Sequence, residues 1–283
     1  MKSSRDLHHS VCLAFAGNQL RIQTESTLVV ELAQFLFGHH LQNECDEFCP
    51  AIEVVFATDG GFQLMVDGQL VAIALNEDEL PVVLMQLAQR QLVFGESRCA
   101  MLHAALLIRN GCGFLLPAAA GSGKTTLAAW LLGHGFDLVS DELSAASENG
   151  DLDGFTRPLN IKRGSEYLVN SFDWMGAPLS RSRRSNGVTL VPWERCAPSK
   201  LTAKVILCPS YDDNASFNVE ALSRGRCATE LLGSLLNARN LPKHGLTLVS
   251  RLAGSCPSYR VAYSRLEDVS IWLEELHGFH NIS

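Results

Sequence analysis

The sequence predicts an α/β protein, with a small α+β domain over residues 1–96 and a larger domain with a mixed sheet over residues 97–283. Short apolar runs of strand length alternate with amphipathic stretches of helical length along the chain. Turn pairs such as Asp67-Gly68 and Asn110-Gly111 separate neighbouring strands. With 283 residues, 47% of them hydrophobic, the chain is long enough for two cores.

The first domain is predicted from hairpin signals and two helical stretches, and its composition suits docking or regulation better than chemistry. The predicted elements are strands over residues 10–15 and 19–23, a helix over 27–37, strands over 52–57, 62–66 and 69–75, and a helix over 81–92.

The second domain is predicted to begin with a hairpin and to continue as alternating strands and helices. Its predicted strands cover residues 101–108, 113–116, 136–139, 188–191, 204–207 and 259–264, and its predicted helices cover 124–132, 222–237 and 266–276. Residues 145–154 read as a polar turn.

The most informative stretch is GFLLPAAAGSGKTTLAAWLLGHGFDLVSDE, residues 113–142, which reads as strand, small-residue loop, helix and strand. Loops of this kind before a helix bind phosphate, because unpaired backbone N–H groups and the helix dipole both attract anions. The sequence differs from the phosphate-loop pattern G-x-x-x-x-G-K-[ST] at one position, where Ala118 replaces the first Gly. We therefore expect a triphosphate to be held by residues 119–126, which are Ala119, Ala120, Gly121, Ser122, Gly123, Lys124, Thr125 and Thr126.

An acidic pair, Asp141-Glu142, follows the second strand of this stretch. Oxygen ligands suit Mg²⁺, so the Thr125 hydroxyl and these two carboxylates are the candidate metal ligands. Asp141 is also placed to accept a proton from a nucleophile. ATP and Mg²⁺ are accordingly the expected cofactors.

The motif L-H-A-A at residues 102–105, together with GSGKTTLAAWLLGHGFDLVSDE, resembles the HPr kinase/phosphorylase superfamily, whose P-loop fold is shared with phosphoenolpyruvate carboxykinases. The resemblance extends from about residue 100 to the C-terminus. Its most specific features are a His on the strand before the loop and an acid only 17 residues after Lys124 (141 − 124). It implies a PEP carboxykinase-like core, with Asp141 as base and His103 supporting that base. The relatives commonly carry two aspartates where this chain has Asp141-Glu142.

Three basic residues are candidate substrate contacts. Arg157 and Lys162 lie in a segment that resembles one lining the kinase site, although a solvated basic loop explains them equally well. Arg184 lies in the loop-like stretch 177–187, which reads either as a lid over phosphates or as an exposed loop.

Composition excludes several classes of protein. The net charge of −7 argues against nucleic-acid binding, and no stretch has the length of a membrane span. The start of the chain resembles a signal peptide only faintly, so a secretion signal is not expected. Without such a signal, the nine cysteines are expected to be reduced thiols in a cytoplasmic protein. His39, His40, Cys45 and Cys49 suggest a zinc site, for which a polar loop with incidental thiols is the alternative.

The function predicted from these observations is an ATP-dependent kinase, and the resemblance implies that the acceptor is a hydroxyl, such as a serine of a peptide or small protein. The relatives can be homo-oligomers. Two alternatives remain open: an ATP-binding switch or scaffold without phosphotransfer, and a kinase of a small metabolite.

Overall fold

The computed structural model describes residues 9–58, 60–118, 121–162, 181–193 and 201–280, with side chains described as far as residue 276. The protein is an α/β protein with mixed sheets, as the sequence predicts. It divides into two compact units. Unit 1 comprises Met1–Glu96, Thr156–Gly164 and Pro178–Trp193, and unit 2 comprises Ser97–Phe155, Ser165–Ala177 and Glu194–Ser283.

The predicted division at residue 96 coincides with the first boundary between the units, but the second predicted domain, 97–283, is not continuous. Hydrogen bonds attach the described parts of the two returning segments, residues 156–162 and 181–193, to unit 1. The Thr156 N–H donates to His40 Nε2 at 2.8 Å, and the Ser185 hydroxyl donates to the carbonyl of Asp78 at 2.6 Å. Chain order alone does not reveal such a return of the chain to an earlier unit.

Unit 1 contains a six-stranded sheet in the order β3-β1-β2-β4-β5-β6. Its strands are β1 (His9–Phe15), β2 (Asn18–Thr24), β3 (Leu41–Gln42), β4 (Ala51–Phe56), β5 (Phe62–Val66) and β6 (Gln69–Ala74). The predicted turn at Asp67-Gly68 is confirmed, because both residues have positive φ, as a tight two-residue hairpin requires.

Two helices, α1 (Thr27–Phe37) and α2 (Leu80–Gly95), complete the main core of unit 1. Pro81 lies in the first turn of α2, where its missing N–H is not needed. The core is formed by alternate strand residues and by the apolar stripes of both helices, and includes Leu13, Ile22, Leu32, Ile52, Leu64 and Leu84. Both helices were predicted within a few residues of their ends.

Unit 2 contains an eight-stranded mixed sheet in the order β11-β10-β7-β8-β15-β17-β16, with β9 also paired to β7. Its strands are β7 (Ala100–Arg109), β8 (Cys112–Pro117), β9 (Asp137–Ser140), β10 (Leu143–Ala146), β11 (Asp151–Gly154), β15 (Leu201–Tyr211), β16 (Asn218–Ala221) and β17 (Ser258–Tyr263). The remaining strands, β12 (Leu159–Ile161), β13 (Arg183–Ser185) and β14 (Val188–Val191), form a separate sheet in unit 1.

The helices of unit 2 are α3 (Lys124–Leu132), α4 (Arg224–Ser234), α5 (Leu246–Ala253) and α6 (Leu266–His280). Strand β7 is buried along both of its faces, and helices α3 and α4 both contact it. One face of β7, with Leu102 and Leu106, packs in a core that includes Leu231 of α4 and Leu252 of α5. Within this strand only His103 and Arg109 are partly exposed.

Some elements of unit 2 differ from those predicted. The polar stretch 145–154 is not simply a turn, since β10 and β11 pair across it as a hairpin. The helix predicted over residues 222–237 is shorter and begins after Ser223, whose hydroxyl accepts a hydrogen bond from the Arg226 N–H. Strand β16 and helix α5 were not predicted. In the part of the chain that the structure describes, no helix is both long and apolar enough to cross a membrane.

Gly154 is predicted to be essential for packing next to β9. A Cβ there would lie 2.8 Å from Ser140 Cβ and 2.9 Å from Val139 Cγ1. We expect Gly154→Ala to lower the free energy of unfolding by about 1–3 kcal/mol, because the clash involves a close-packed strand. Urea denaturation measures the change.

Gly233→Ala is the matched control for this prediction. Gly233 lies in α4, and no atom in the described part of the chain is within 4 Å of an added Cβ, so alanine should raise stability by about 0.5–1 kcal/mol. Equal effects of the two substitutions would show that contact with Ser140 and Val139 does not restrict residue 154.

Candidate active site

The candidate site lies at one end of the sheet of unit 2. Two parallel strands, β8 and β9, end there on opposite sides of β7. Strand β7 pairs antiparallel with both β8 and β9. Its residue Ala104 is opposite Pro117, the last residue of β8, and the Ala104 N–H donates to the carbonyl of Glu142 at 3.1 Å. The phosphate loop and the acidic pair are therefore brought to the same end of the sheet.

Helix α3 begins where the phosphate-loop pattern predicts and ends where its glycines predict, at Lys124 and Leu132. Gly123 is its N-cap, with φ of 84°, and its carbonyl accepts a hydrogen bond from the Leu127 N–H at 2.8 Å. Ala119 and Ala120 of the predicted site lie outside the described residues. Thr125 and Thr126 lie in the first turn of the helix and are partly exposed.

Position 123 requires glycine because of both its backbone conformation and its surroundings. A Cβ at this position would lie 2.8 Å from Tyr263 Oη and 2.9 Å from Tyr211 Cβ. Gly121 has a similar positive φ of 86°, but no atom of the described residues lies within 4 Å of its added Cβ. Of these two glycines, Gly123 is thus the one that lets the loop pass directly over the ends of β15 and β17.

Ser122 joins the phosphate loop to the neighbouring strand. Its carbonyl accepts a hydrogen bond from the Tyr211 N–H at 3.2 Å. Its hydroxyl oxygen is buried and makes no hydrogen bond among the described residues. A buried hydroxyl of this kind is suited to a polar ligand, since burial without a partner is unfavourable.

Lys124 connects the loop to the acidic pair. Its side chain is almost buried, with 5% of its surface exposed, and its Nζ donates to the backbone carbonyl of Asp141 at 3.0 Å. A buried ammonium needs polar partners, and this carbonyl supplies one. The cation predicted to hold phosphate is therefore held close to the predicted base.

Asp141 and Glu142 form a bend between β9 and β10, which both pair with β7. The bend is built around Ser140, which is fully buried. The Ser140 Oγ accepts from the N–H groups of Glu142 (3.3 Å) and Leu143 (3.1 Å) and is within 2.9 Å of the carbonyl of Leu143. Asp141 is fully buried by this arrangement, whereas Glu142 is partly exposed.

His103 contacts the second carboxylate of the pair. Its Nε2 lies 3.3 Å from Glu142 Oε1, with 23% of the His103 side chain and 41% of the Glu142 side chain exposed. The resemblance implies that His103 supports Asp141, which stays a prediction; the contact described here is with the neighbouring carboxylate of Glu142. The physical reason is register: Leu143 lies opposite His103, so the adjacent Glu142 side chain is within reach.

The residues proposed to hold Mg²⁺ offer the appropriate donors. Thr125 supplies a hydroxyl, and Asp141 and Glu142 supply carboxylates, which are hard oxygen ligands. Among the residues that the structure describes, no three His, Cys, Asp or Glu side chains are grouped so as to hold a metal ion by themselves. A site of one or two carboxylates fits Mg²⁺, which is usually bound together with substrate phosphates.

The three predicted substrate residues all belong to unit 1, not to the unit that contains the phosphate loop. Arg157 is 3% exposed, and its Nη1 lies 3.2 Å from Met85 Sδ, so this side chain is packed in unit 1 and is not an exposed clamp. Lys162 and Arg184 are exposed. Residue 163 lies outside the described part of the chain.

The predicted lid is a strand and a turn where it is described. Its residues 177–180 lie outside the described ranges. Arg183–Ser185 forms β13, which pairs with β14 through a turn at Asn186-Gly187, where both residues have positive φ. The Asn186 N–H also donates to Asp78 Oδ2 at 2.8 Å. The hairpin signal at Asn186-Gly187 therefore outweighs the loop-like composition.

The loop with candidate zinc ligands is not arranged for zinc. The Nε2 of His40 accepts from the Thr156 N–H, and its Nδ1 lies 3.2 Å from the carbonyl of Ala14. Burial, followed by hydrogen bonds with Cys12 and Cys49, raises the pKa of the Cys45 thiol to about 12. The hydrogen bonds occupy both ring nitrogens of His40, and among the described residues no three His, Cys, Asp or Glu side chains are grouped so as to hold a metal ion. The alternative of a polar loop describes this segment better.

Comparison of the chain with models of protein families and with curated protein sequences finds no match. The case for function therefore rests on the geometry of this site and on the motif that the sequence carries.

We predict that Gly123 and Gly121 respond differently to the same substitution. Both substitutions to alanine introduce an unfavourable positive φ, worth about 1–2 kcal/mol in the left-handed region. Only Gly123→Ala also introduces contacts with Tyr211 and Tyr263, so it should lose at least about 1 kcal/mol more in urea unfolding. Equal losses would contradict the close packing of the loop on β15 and β17.

Proposed function

We propose that the protein is an ATP-dependent phosphotransferase that moves the γ-phosphoryl group of Mg·ATP to a hydroxyl. The observation that carries the proposal is the hydrogen bond from Lys124 Nζ to the backbone of Asp141, 3.0 Å long, which joins the phosphate loop to the acidic bend. Phosphoryl transfer depends mainly on positioning and charge stabilisation, and this arrangement supplies cationic and anionic groups at one end of a sheet.

Each residue has a role in the proposal. The backbone N–H groups of the loop and Lys124 bind the β- and γ-phosphates. Thr125 holds Mg²⁺, and Asp141 or Glu142 completes its oxygen ligands. Asp141 accepts the proton of the attacking hydroxyl, while His103 positions Glu142 through their 3.3 Å contact.

The nature of the acceptor and the family are proposed from the sequence motif. The stretch around Lys124 and Asp141 resembles HPr kinase-like proteins, which supports membership of that superfamily and a serine on a peptide or small protein as acceptor. The reverse phosphorylase reaction is not part of the proposal. Free thiols at the described cysteines and the use of ATP support a cytoplasmic location.

A switch without phosphotransfer is the second candidate function, and the burial of Asp141 favours it. A carboxylate that is 0% exposed must become accessible before it can accept a proton from a substrate. If no such opening occurs, nucleotide binding would change the conformation of the bend through Lys124 without any transfer. Kinase action on a small metabolite is distinguished by the size of the labelled product.

Lys124→Met should weaken binding of Mg·ATP by about tenfold or more, because a charged hydrogen-bonding group is worth roughly 1.5–3 kcal/mol. Methionine keeps the apolar stem of the side chain, which limits the effect on folding. Lys204→Ala is the control, since Lys204 is an exposed lysine of β15 in the same unit. Isothermal titration calorimetry gives both affinities, and wild-type affinity in Lys124→Met would reject the phosphate-binding role of the loop.

Asp141→Asn should retain Mg·ATP binding and lower the rate of transfer by about 10²–10⁴-fold, the usual contribution of a general base. The assay uses γ-labelled ATP with a size-fractionated cell extract, and label should enter a peptide or protein. Asp137→Asn is the matched control, because Asp137 is an exposed acid at the start of β9, the strand that leads into the bend, and this variant should retain transfer.

Three results would decide among the functions. Undiminished transfer by Asp141→Asn removes this residue as the base. Label in a low-molecular-weight product favours the metabolite kinase. ATP binding without any labelled product favours the switch.

A further inference from the structure

An exposed aromatic ring lies directly beside the phosphate loop. Tyr211 is the last residue of β15 and is 44% exposed. Its N–H donates to the Ser122 carbonyl, and its Cβ lies 2.9 Å from the position that a Cβ on Gly123 would occupy. The ring therefore begins where the loop passes over the sheet, on the side of β8 opposite to β7 and the acidic bend.

The orientation of this ring is fixed by its neighbours. The Tyr211 hydroxyl donates to Asp213 Oδ1. The ring also packs edge-on against the buried ring of Tyr263, with centroids 5.6 Å apart and an angle of 61° between the planes. A ring held in this way loses little conformational freedom when a ligand covers its exposed surface.

The turn that follows Tyr211 is attached to the end of the next strand. The Asp212 N–H donates to the carbonyl of Tyr263 at 3.2 Å, and the Ser264 hydroxyl donates to the carbonyl of Ala215 at 2.9 Å. The Asn214 N–H donates to Asp212 Oδ1 at 2.8 Å. Residues 211–215 thus form a supported surface at the carboxyl ends of β15 and β17, the position at which open α/β sheets bind ligands.

The charge of this surface disfavours phosphate, whereas the charge of the phosphate loop attracts it. Asp212 and Asp213 place negative charge beside Tyr211, which disfavours a phosphate there. The start of α3 and Lys124 provide positive potential on the other side of Gly123. A nucleotide bound across both regions would therefore direct its phosphates to the loop and its uncharged base to Tyr211.

We infer that the exposed ring of Tyr211 stacks on the base of the nucleotide whose phosphates bind the loop. The inference rests on the proposed function and adds the location of the base site. Stacking on an aromatic ring does not read the hydrogen-bonding edge of a base, so Tyr211 should contribute to ATP and GTP binding alike.

The test compares two ligands that share a triphosphate but differ in the base. Calorimetry with Mg·ATP and with Mg·tripolyphosphate is carried out on wild type, Tyr211→Ala and Tyr211→Phe. Loss of one base–aromatic stack should weaken Mg·ATP binding to Tyr211→Ala by about 10- to 100-fold, with a similar loss for Mg·GTP. Tripolyphosphate should bind both variants within about twofold of wild type, because neither substitution changes the phosphate loop. Tyr211→Phe should keep most of the ATP affinity, because it keeps the aromatic ring that stacks on the base.

Two further variants keep the test decisive. Phe48→Ala removes a 93% exposed ring from unit 1 and should change neither affinity. Tyr211→Leu, which keeps an apolar side chain beside Gly123, replaces Tyr211→Ala if thermal unfolding shows that the alanine variant does not fold.

The outcomes separate this inference from the proposed function. If Tyr211→Ala binds ATP as wild type does, or loses ATP and tripolyphosphate equally, the base site is not at Tyr211 although the phosphate loop stands. If wild type binds neither ligand, the proposed function fails and the base site fails with it. Selective loss of ATP and GTP supports the inference.

Discussion

The hydrogen bond between the Lys124 ammonium and the backbone carbonyl of Asp141 is the interaction on which the candidate site depends. It brings a nearly buried cation from the start of α3 against the bend that follows β9. Because an unpartnered buried ammonium is strongly unfavourable, the position of each segment is tied to that of the other. In the proposed reaction, nucleotide phosphates would share the ammonium that the protein holds in this way.

Strand β7 explains how this contact arises after so short a stretch of chain. It lies between the parallel strands β8 and β9, and it pairs antiparallel with both. The chain leaves β8, forms the nine-residue helix α3 and returns on the other side of β7. Asp141 therefore follows Lys124 by only 17 positions (141 − 124), and His103 of β7 is placed beside Glu142.

Packing around Ser140 and Gly154 holds the bend between β9 and β10 in place. Ser140 accepts backbone N–H groups from the bend, and Gly154 allows the neighbouring strand to approach it closely. These residues carry no chemistry of their own, but they determine how Asp141 and Glu142 are presented. A buried Asp141 beside a partly exposed Glu142 gives the pair unequal access to solvent. Catalysis through Asp141 requires that this inequality change when substrate binds.

Local signals in the sequence were sufficient for much of this architecture. The bounds of α3 follow from its flanking glycines, and the hairpins follow from residue pairs such as Asn110-Gly111, which tolerate positive φ. The phosphate loop and the acidic pair were identified because each has a recognisable spacing.

Other features depend on contacts between distant parts of the chain, which no local pattern encodes. The short, polar residues of the β10–β11 hairpin predict a turn, whereas pairing with β7 and β15 stabilises two strands there. Arg157 looked like a site residue from its place after the acidic pair, but the chain has by then returned to unit 1. Ser140 directly precedes Asp141, and this adjacency is a sequence signal for its place in the bend. The closeness of Tyr211 to Gly123 has no such signal, because it arises only when the strands are assembled.

A crystal structure of the protein with Mg²⁺ and a non-hydrolysable ATP analogue tests the central claim most directly. The decisive measurement is the distance from Lys124 Nζ to the nearest oxygen of the β- or γ-phosphate. The account predicts a hydrogen-bonding distance of about 2.7–3.2 Å, with the metal at Thr125 and next to Asp141 or Glu142. An analogue bound elsewhere, or one whose phosphates point away from residues 121–125, would contradict it.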